Sequence, residues 1–286
     1  MPSSLMKSLP PRGTQMHDRV DVVLRSWLHE VNLDVLRMCL PRAKGNRLHR
    51  DPRMQCPVRA VTSTLAAILL SFLAPASLPA QEATSIPEGI EWTWEVRPPH
   101  PDPKLPNVLL LGDSISRGYF PEVTRDLTGV ANVYLMASST SVGDPRLQQQ
   151  MAEFATMEGV LFSVVHFNNG MHGWAYSETQ YRAAFPVFLR AVKKLTESNG
   201  ALVWATITPI GQDATNGATN QRVDARNAIA TSLVQAEGIP VDDQHALMMQ
   251  HQDLHEDPVH FNASGSVLQG DQAAATIKSA LGHRHR

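Results

Sequence analysis

Five short apolar runs, at residues 108–111, 133–136, 160–167, 201–208 and 239–242, alternate with segments of helical apolar spacing through the C-terminal part of the chain. Runs of this length without polar alternation suit strands that are covered on both faces, as in parallel sheets. Helical spacing follows at 177–195, which opens on the capping-box pattern Ser177-x-x-Gln180, at 222–237 and at 263–281. Pro186 either kinks the first of these helices or marks its first turn. Strands joined by helices require right-handed crossovers, so the expected architecture is α/β with a mostly parallel sheet between two helical layers. No internal repeat interrupts it.

The first strand ends abruptly in Gly112-Asp113-Ser114. Glycine permits a sharp exit, and a serine delivered at the carboxyl edge of such a sheet stands where ligands bind. Its hydroxyl is a weak nucleophile until a base takes its proton. Asp257-Pro258-Val259-His260 supplies both a base and an acid to orient it, on the loop entering the last helix, which returns to the same edge. Ser114, Asp257 and His260 are thus the candidate catalytic residues, in the chain order serine, aspartate, histidine. The competing reading, that Asp113 and Ser114 merely cap a helix, leaves the second segment without a purpose. Asp113 is expected to hold the turn through backbone hydrogen bonds.

These blocks together resemble the SGNH or GDSL hydrolase superfamily, over residues 105–281. The resemblance implies a flavodoxin-like three-layer α/β/α sandwich with a mostly parallel five-stranded sheet, and esterase or acyl-hydrolase activity without a cofactor. It also implies an oxyanion hole built from the Ser114 N–H, a glycine after the second strand and an asparagine after the third. The matching positions here are Gly143 and Asn168. The third block reads His166-Phe167-Asn168-Asn169-Gly170-Met171-His172 where the superfamily usually has Gly-x-Asn-Asp, leaving Asn169 and His172 as alternatives to Asn168. Asn169, His172 and Trp174 are candidate substrate contacts, and Met171, Trp174 and Tyr176 are expected to wall the pocket. Aromatic faces beside polar groups suit a sugar ring, which points to small O-acyl esters, acetyl first, on carbohydrate. The alternatives are a short-chain lipid esterase or lysophospholipase, and a binding module without turnover. An acyl-enzyme could also pass its acyl group to an alcohol instead of water.

The 286 residues carry a net charge of −2, but from residue 81 onward 14 basic residues face 22 acidic ones, which argues against a nucleic-acid partner. Residues 1–53 read as an upstream extension, although residues 18–37 have helical spacing, or as a cytoplasmic segment before an anchor. Residues 54–80, with Arg59, an apolar stretch and Ala76-Ser77-Leu78-Pro79-Ala80, have the order of a secretory signal starting at Met54. A periplasmic or secreted product without stable membrane association is expected. Cys39 and Cys56 both precede the cleavage point, so the mature product needs no disulfide. Residues 81–104 are proline-dense and should run extended, with Trp92 and Trp94 fastening this arm to the domain at 105–282. His245, His251 and His255 form no zinc signature, so no metal is expected. The tail at 283–286 is expected to be disordered.

Overall fold

The computed structural model describes residues 84–214 and 216–283. The expected extension, the signal segment and most of the tail lie outside the described residues. In chain order the elements are β1 (Thr93–Val96), β2 (Asn107–Gly112), α1 (Ser114–Asp126), β3 (Asn132–Ser138), α2 (Arg146–Glu158), β4 (Phe162–Phe167), α3 (Glu178–Leu195), β5 (Thr196–Ala205), α4 (Asn220–Ala236), β6 (Val241–Asp242), α5 (Gln244–Met249), a 3₁₀ turn (Gln252–Leu254) and α6 (Ala263–His283). The sheet order is β1-β3-β2-β4-β5-β6, parallel throughout except for β1.

The sheet has six strands, not the five expected, because part of the N-terminal arm adds itself to an edge. Thr93 pairs with Ser138 and Val96 with Leu135, antiparallel to β3. Thr, Trp and Val favour the pleated state, and Pro98-Pro99 end the strand by removing N–H donors. The five parallel strands retain the flavodoxin-like order, which reverses at β2 with β3 on one side and β4 on the other.

Successive residues of a strand face opposite layers, and the two cores record this. Leu109 and Leu111 of β2, with Tyr134 and Met136 of β3, join the core under α2, α3 and α4, around Phe154, Phe185, Phe188 and Trp204. Val108 and Leu110, with Val133 and Leu135, join the core under α1 and α6, around Tyr119, Val123, Ala273 and Ile277. Because every central strand is covered twice, its apolar run is unbroken.

Several boundaries differ from those expected. Helix α2, built on Leu147, Met151 and Phe154, ends at Gly159 in the left-handed conformation, so β4 starts at Phe162 and not at residue 160. Pro186 lies well inside α3, whose capping box at Ser177 and Gln180 forms as the spacing predicts. Strand β5 begins at Thr196, directly after α3, and stops at Ala205.

Candidate active site

Ser114 stands at the switch point because nothing larger than glycine fits before it. A Cβ on Gly112 would come within 2.8 Å of the Ser116 Cβ, so the chain turns tightly from β2 into α1. Asp113 caps that helix: its Oδ1 accepts the Ile115 N–H at 2.9 Å, and its carbonyl accepts the Arg117 N–H at 3.0 Å. Ser114 is therefore the first residue of α1, half-buried at the carboxyl edge of the sheet, with the helix N-terminus behind it.

The second segment organises itself. Asp257 Oδ1 accepts the backbone N–H groups of Val259 at 2.8 Å and His260 at 2.7 Å, leaving Oδ2 for the His260 Nδ1 at 2.8 Å. Burial alone would raise the Asp257 pKa, but these backbone donors and the imidazole outweigh it and hold the carboxyl at about 2. Beyond the loop Asn262 Oδ1 accepts the Ser264 and Gly265 N–H groups at the start of α6. The His260 Nε2 then lies 2.8 Å from the Ser114 Oγ. The structure thus joins the three residues, 146 positions apart at their extremes, in one hydrogen-bonded relay. The relay is open to water, with the His260 and Asp257 side chains 37% and 46% exposed.

The third block faces inward. Asn168 follows β4 and is buried beside Ser114's helix; its side-chain amide donates to the Ala205 carbonyl at 2.7 Å. Gly143 is covered by Tyr176, whose ring carbons would lie 2.8–2.9 Å from an added Cβ, and its N–H donates to Ser141 Oγ at 3.3 Å. Asn169, a candidate substrate contact, is buried and spans the neighbouring loop: it accepts the Val142 N–H at 2.8 Å and donates to the Thr140 carbonyl at 3.0 Å. Trp174 is also buried, beneath the Arg226 guanidinium at 4.0 Å, and Met171 and Tyr176 are buried with it. Asn169, Trp174 and Tyr176 build the loop and do not wall the cavity beside Ser114's helix, because the loop's polar backbone draws a buried cation against its inner side, whereas Met171 does line that cavity. His166, in the same motif, faces the opposite layer and binds buried Asp242 at 2.8 Å, near Tyr119.

Arg226 is that cation, and the sequence reading passed over it. Fully buried on α4, it donates to the carbonyls of Gly170 at 2.7 Å, His172 at 2.8 Å, Gly173 at 2.9 Å and Tyr176 at 3.3 Å. Burial presses its pKa down to about 10, so it remains a cation at neutral pH. A signal existed: Arg226 falls at helical spacing between Val223 and Ile229 or Ala230, on the stripe that faces the core. His172 points to the arm, with Nδ1 2.9 Å from Glu88.

Among the described residues, no group of three or more His, Cys, Asp or Glu side chains is placed to hold a metal ion. His255 packs against Phe261 with the rings tilted by 40° and their centroids 4.1 Å apart, and His245 lies 3.3 Å from Asp224.

No family model and no curated protein matches the sequence. Solved structures similar to this chain include a GDSL-like lipase from Bacteroides thetaiotaomicron, 16% identical, covering 64% of this chain and 91% of that one with a TM-score of 0.48. Another is an acetylxylan esterase from Geobacillus stearothermophilus, 14% identical, covering 62% and 94% with a TM-score of 0.48. A third is an alpha/beta hydrolase enzyme from the metagenome of Lake Arreo, 13% identical, covering 62% and 95% with a TM-score of 0.47.

Proposed function

We propose that this chain is a serine esterase of the SGNH type, exported through the segment at 54–80, that cleaves small O-acyl esters. The observation that carries the reading is the relay of Ser114 Oγ, His260 Nε2 and Nδ1, and Asp257 Oδ2, with both contacts at 2.8 Å.

In this mechanism Ser114 Oγ attacks the ester carbonyl as its proton passes to His260 Nε2. Asp257 holds the ring with Nδ1 protonated, which keeps Nε2 available as the acceptor, and stabilises the imidazolium that forms. The Ser114 N–H, at the open end of α1, meets the developing oxyanion, and Gly143 and Asn168 are its proposed companions. Donors of this kind contribute about 3 kcal/mol each to lowering the barrier. His260 returns the proton to the leaving alcohol, and water attacks the acyl-enzyme by the same route in reverse.

The surroundings offer little room for a large acyl group. The cavity beside the serine's helix, lined by Ile115, Asn168, Met171 and Ile207 among others, has a volume of about 10 Å³, room for roughly one water. A long acyl chain would need a broader apolar channel. For the alcohol half we propose carbohydrate, supported by the exposed Trp94 indole beside Arg117, one turn along α1 from Ser114. The test is hydrolysis of p-nitrophenyl acetate and longer homologues by the full-length chain and by Ser114→Ala. Activity that falls with acyl length and vanishes in the variant is the expected result. Equal rates in two folded proteins would remove Ser114 from the mechanism.

A further inference from the structure

The arm before β1 does more than lie on the surface. From residue 85 to residue 92 it holds both loops that carry the proposed oxyanion donors. On the loop after β3, Ser85 Oγ donates to Asp144 at 2.6 Å, Glu91 accepts from Ser139 Oγ at 2.9 Å and Arg146 at 3.2 Å, and the Trp92 N–H donates to Ser139 Oγ at 2.8 Å. On the loop after β4, the Ile86 N–H donates to Tyr176 Oη at 2.6 Å, while the Glu88 carboxylate takes the Gly173 N–H at 2.6 Å and the His172 Nδ1 at 2.9 Å. Upstream of Trp92, which packs against the core under α1 and α6, apolar fastening is slight, since Ile86 and Ile90 are 36% and 80% exposed.

The orientation of the peptides explains why a carboxylate docks there. Arg226 draws the Gly170, His172 and Gly173 carbonyls to the inner side of the loop. A trans peptide points its N–H opposite to its carbonyl, so the Gly173 N–H faces outward, where Glu88 meets it. Gly173 sits at φ +70° with its Cα hydrogen against Ser141, a position that a side chain could not share.

We propose that Glu88 is a positioning residue of the active site, and that residues 84–92 form a strap whose hold on the two site loops is set by the proton on His172. The inference rests on the esterase reading for its kinetic consequence only. His172 faces the carboxylates of Glu88, Asp113 and Glu91, the Trp92 ring at 5.8 Å, and on its own carbonyl the Arg226 guanidinium. Burial would lower its pKa, but the Glu88 hydrogen bond and the three carboxylates prevail and raise it above 6.5. Burial acts on Glu88 in the opposite sense and is likewise outweighed, by His172 and the Gly173 N–H, so its pKa is lowered. The clasp is therefore a charged pair between the lowered Glu88 pKa and the raised His172 pKa, and weakens as pH rises through the latter. A segment held by polar contacts with little buried apolar surface opens locally without unfolding the domain.

The experiment uses the full-length chain, Glu88→Gln, and Glu88→Asp as the conservative variant. Amide hydrogen exchange of peptides spanning 84–92 and 139–146, the NMR titration of His172, and kcat and KM for p-nitrophenyl acetate are followed against pH. In the wild type, protection of 84–92 should fall roughly fivefold beyond intrinsic exchange as His172 deprotonates, the change expected when a charge-assisted hydrogen bond becomes a neutral one. Glu88→Gln should lose that pH-dependent step, lower the His172 pKa and reduce kcat/KM below the step, with partial recovery in Glu88→Asp. Unchanged protection in Glu88→Gln across the range, or a His172 that titrates at or below 6.5, would overturn the strap. Altered exchange with unaltered kinetics would overturn the positioning role. If the wild type hydrolyses no ester, the exchange and titration results still decide the strap separately from the esterase reading.

Discussion

Arg226→Met tests whether one buried cation organises the loop after β4. Methionine keeps much of the volume and the contact with Trp174, so packing changes little while the hydrogen bonds go. Of the four carbonyls that Arg226 serves, Tyr176 retains a second donor, Arg222 at 2.8 Å. Gly173 likewise keeps the Tyr176 N–H at 3.0 Å, so the carbonyls of Gly170 and His172 are the ones orphaned. At about 1–3 kcal/mol for each buried orphan, the gross cost is roughly 2–6 kcal/mol. Loss of the cation over Trp174 adds about 2 kcal/mol. Against this, the variant no longer holds a charge out of water, a penalty of several kcal/mol that the lowered pKa of about 10 registers. The orphans and the lost cation over the indole win, and the net destabilisation should be about 2–4 kcal/mol. A domain typically has about 5–15 kcal/mol in total, so the variant should still fold. Equilibrium urea unfolding at pH 7 is the assay, with Arg226→Lys expected between the two because an ammonium has three donors but no plane to lie on the indole. A loss below about 1 kcal/mol in Arg226→Met would refute the reasoning.

Other outcomes follow from the same geometry. Gly112→Ala forces a methyl against Ser116 in the turn that delivers Ser114, so chemical denaturation should show a loss of about 1–3 kcal/mol together with a lower kcat. Asp257→Asn keeps an acceptor for the Val259 and His260 N–H groups but turns an NH₂ toward His260 Nδ1, which favours the tautomer with Nε2 protonated and unable to take the Ser114 proton. Stopped-flow or steady-state ester hydrolysis should fall about 10²–10⁴-fold with little change in melting temperature. The depressed Asp257 pKa contributes stability that is complete above the ordinary 3.8 and disappears as pH falls through about 2. Acid titration followed by circular dichroism should therefore show a shallower loss in Asp257→Asn than in the wild type.

The fold was readable where local chemistry leaves few choices. Unbroken apolar runs such as residues 108–111 have only one use in a chain of this composition, and glycine after such a run marks the turn to Ser114. The segment from Asp257 to His260 is readable for the same reason, since its hydrogen bonds are made within four residues. Edge strand β1 was harder, because proline density argues for extended chain without saying whether that chain will find an edge to pair with. The facing of residues 168–176 was beyond local reasoning. Whether Trp174 and Asn169 meet solvent or core depends on Arg226, more than 50 positions later, and on the Thr140 loop. The proposed role of Glu88 was hidden likewise, because its partners His172 and Gly173 come from the loop after β4, three places from β1 in the sheet order and more than 80 residues later.

The central claim is that Ser114 forms a covalent acyl-enzyme with His260 as its base. Intact-protein and peptide mass spectrometry after rapid acid quench of the chain mixed with p-nitrophenyl acetate, in the wild type, Ser114→Ala and His260→Ala, tests it most directly. The account predicts an added acetyl mass on the peptide containing Ser114 in the wild type. That mass should be absent in Ser114→Ala and form far more slowly in His260→Ala. Ester hydrolysis by the wild type without that adduct at any quench time, or at an undiminished rate in Ser114→Ala, would contradict it.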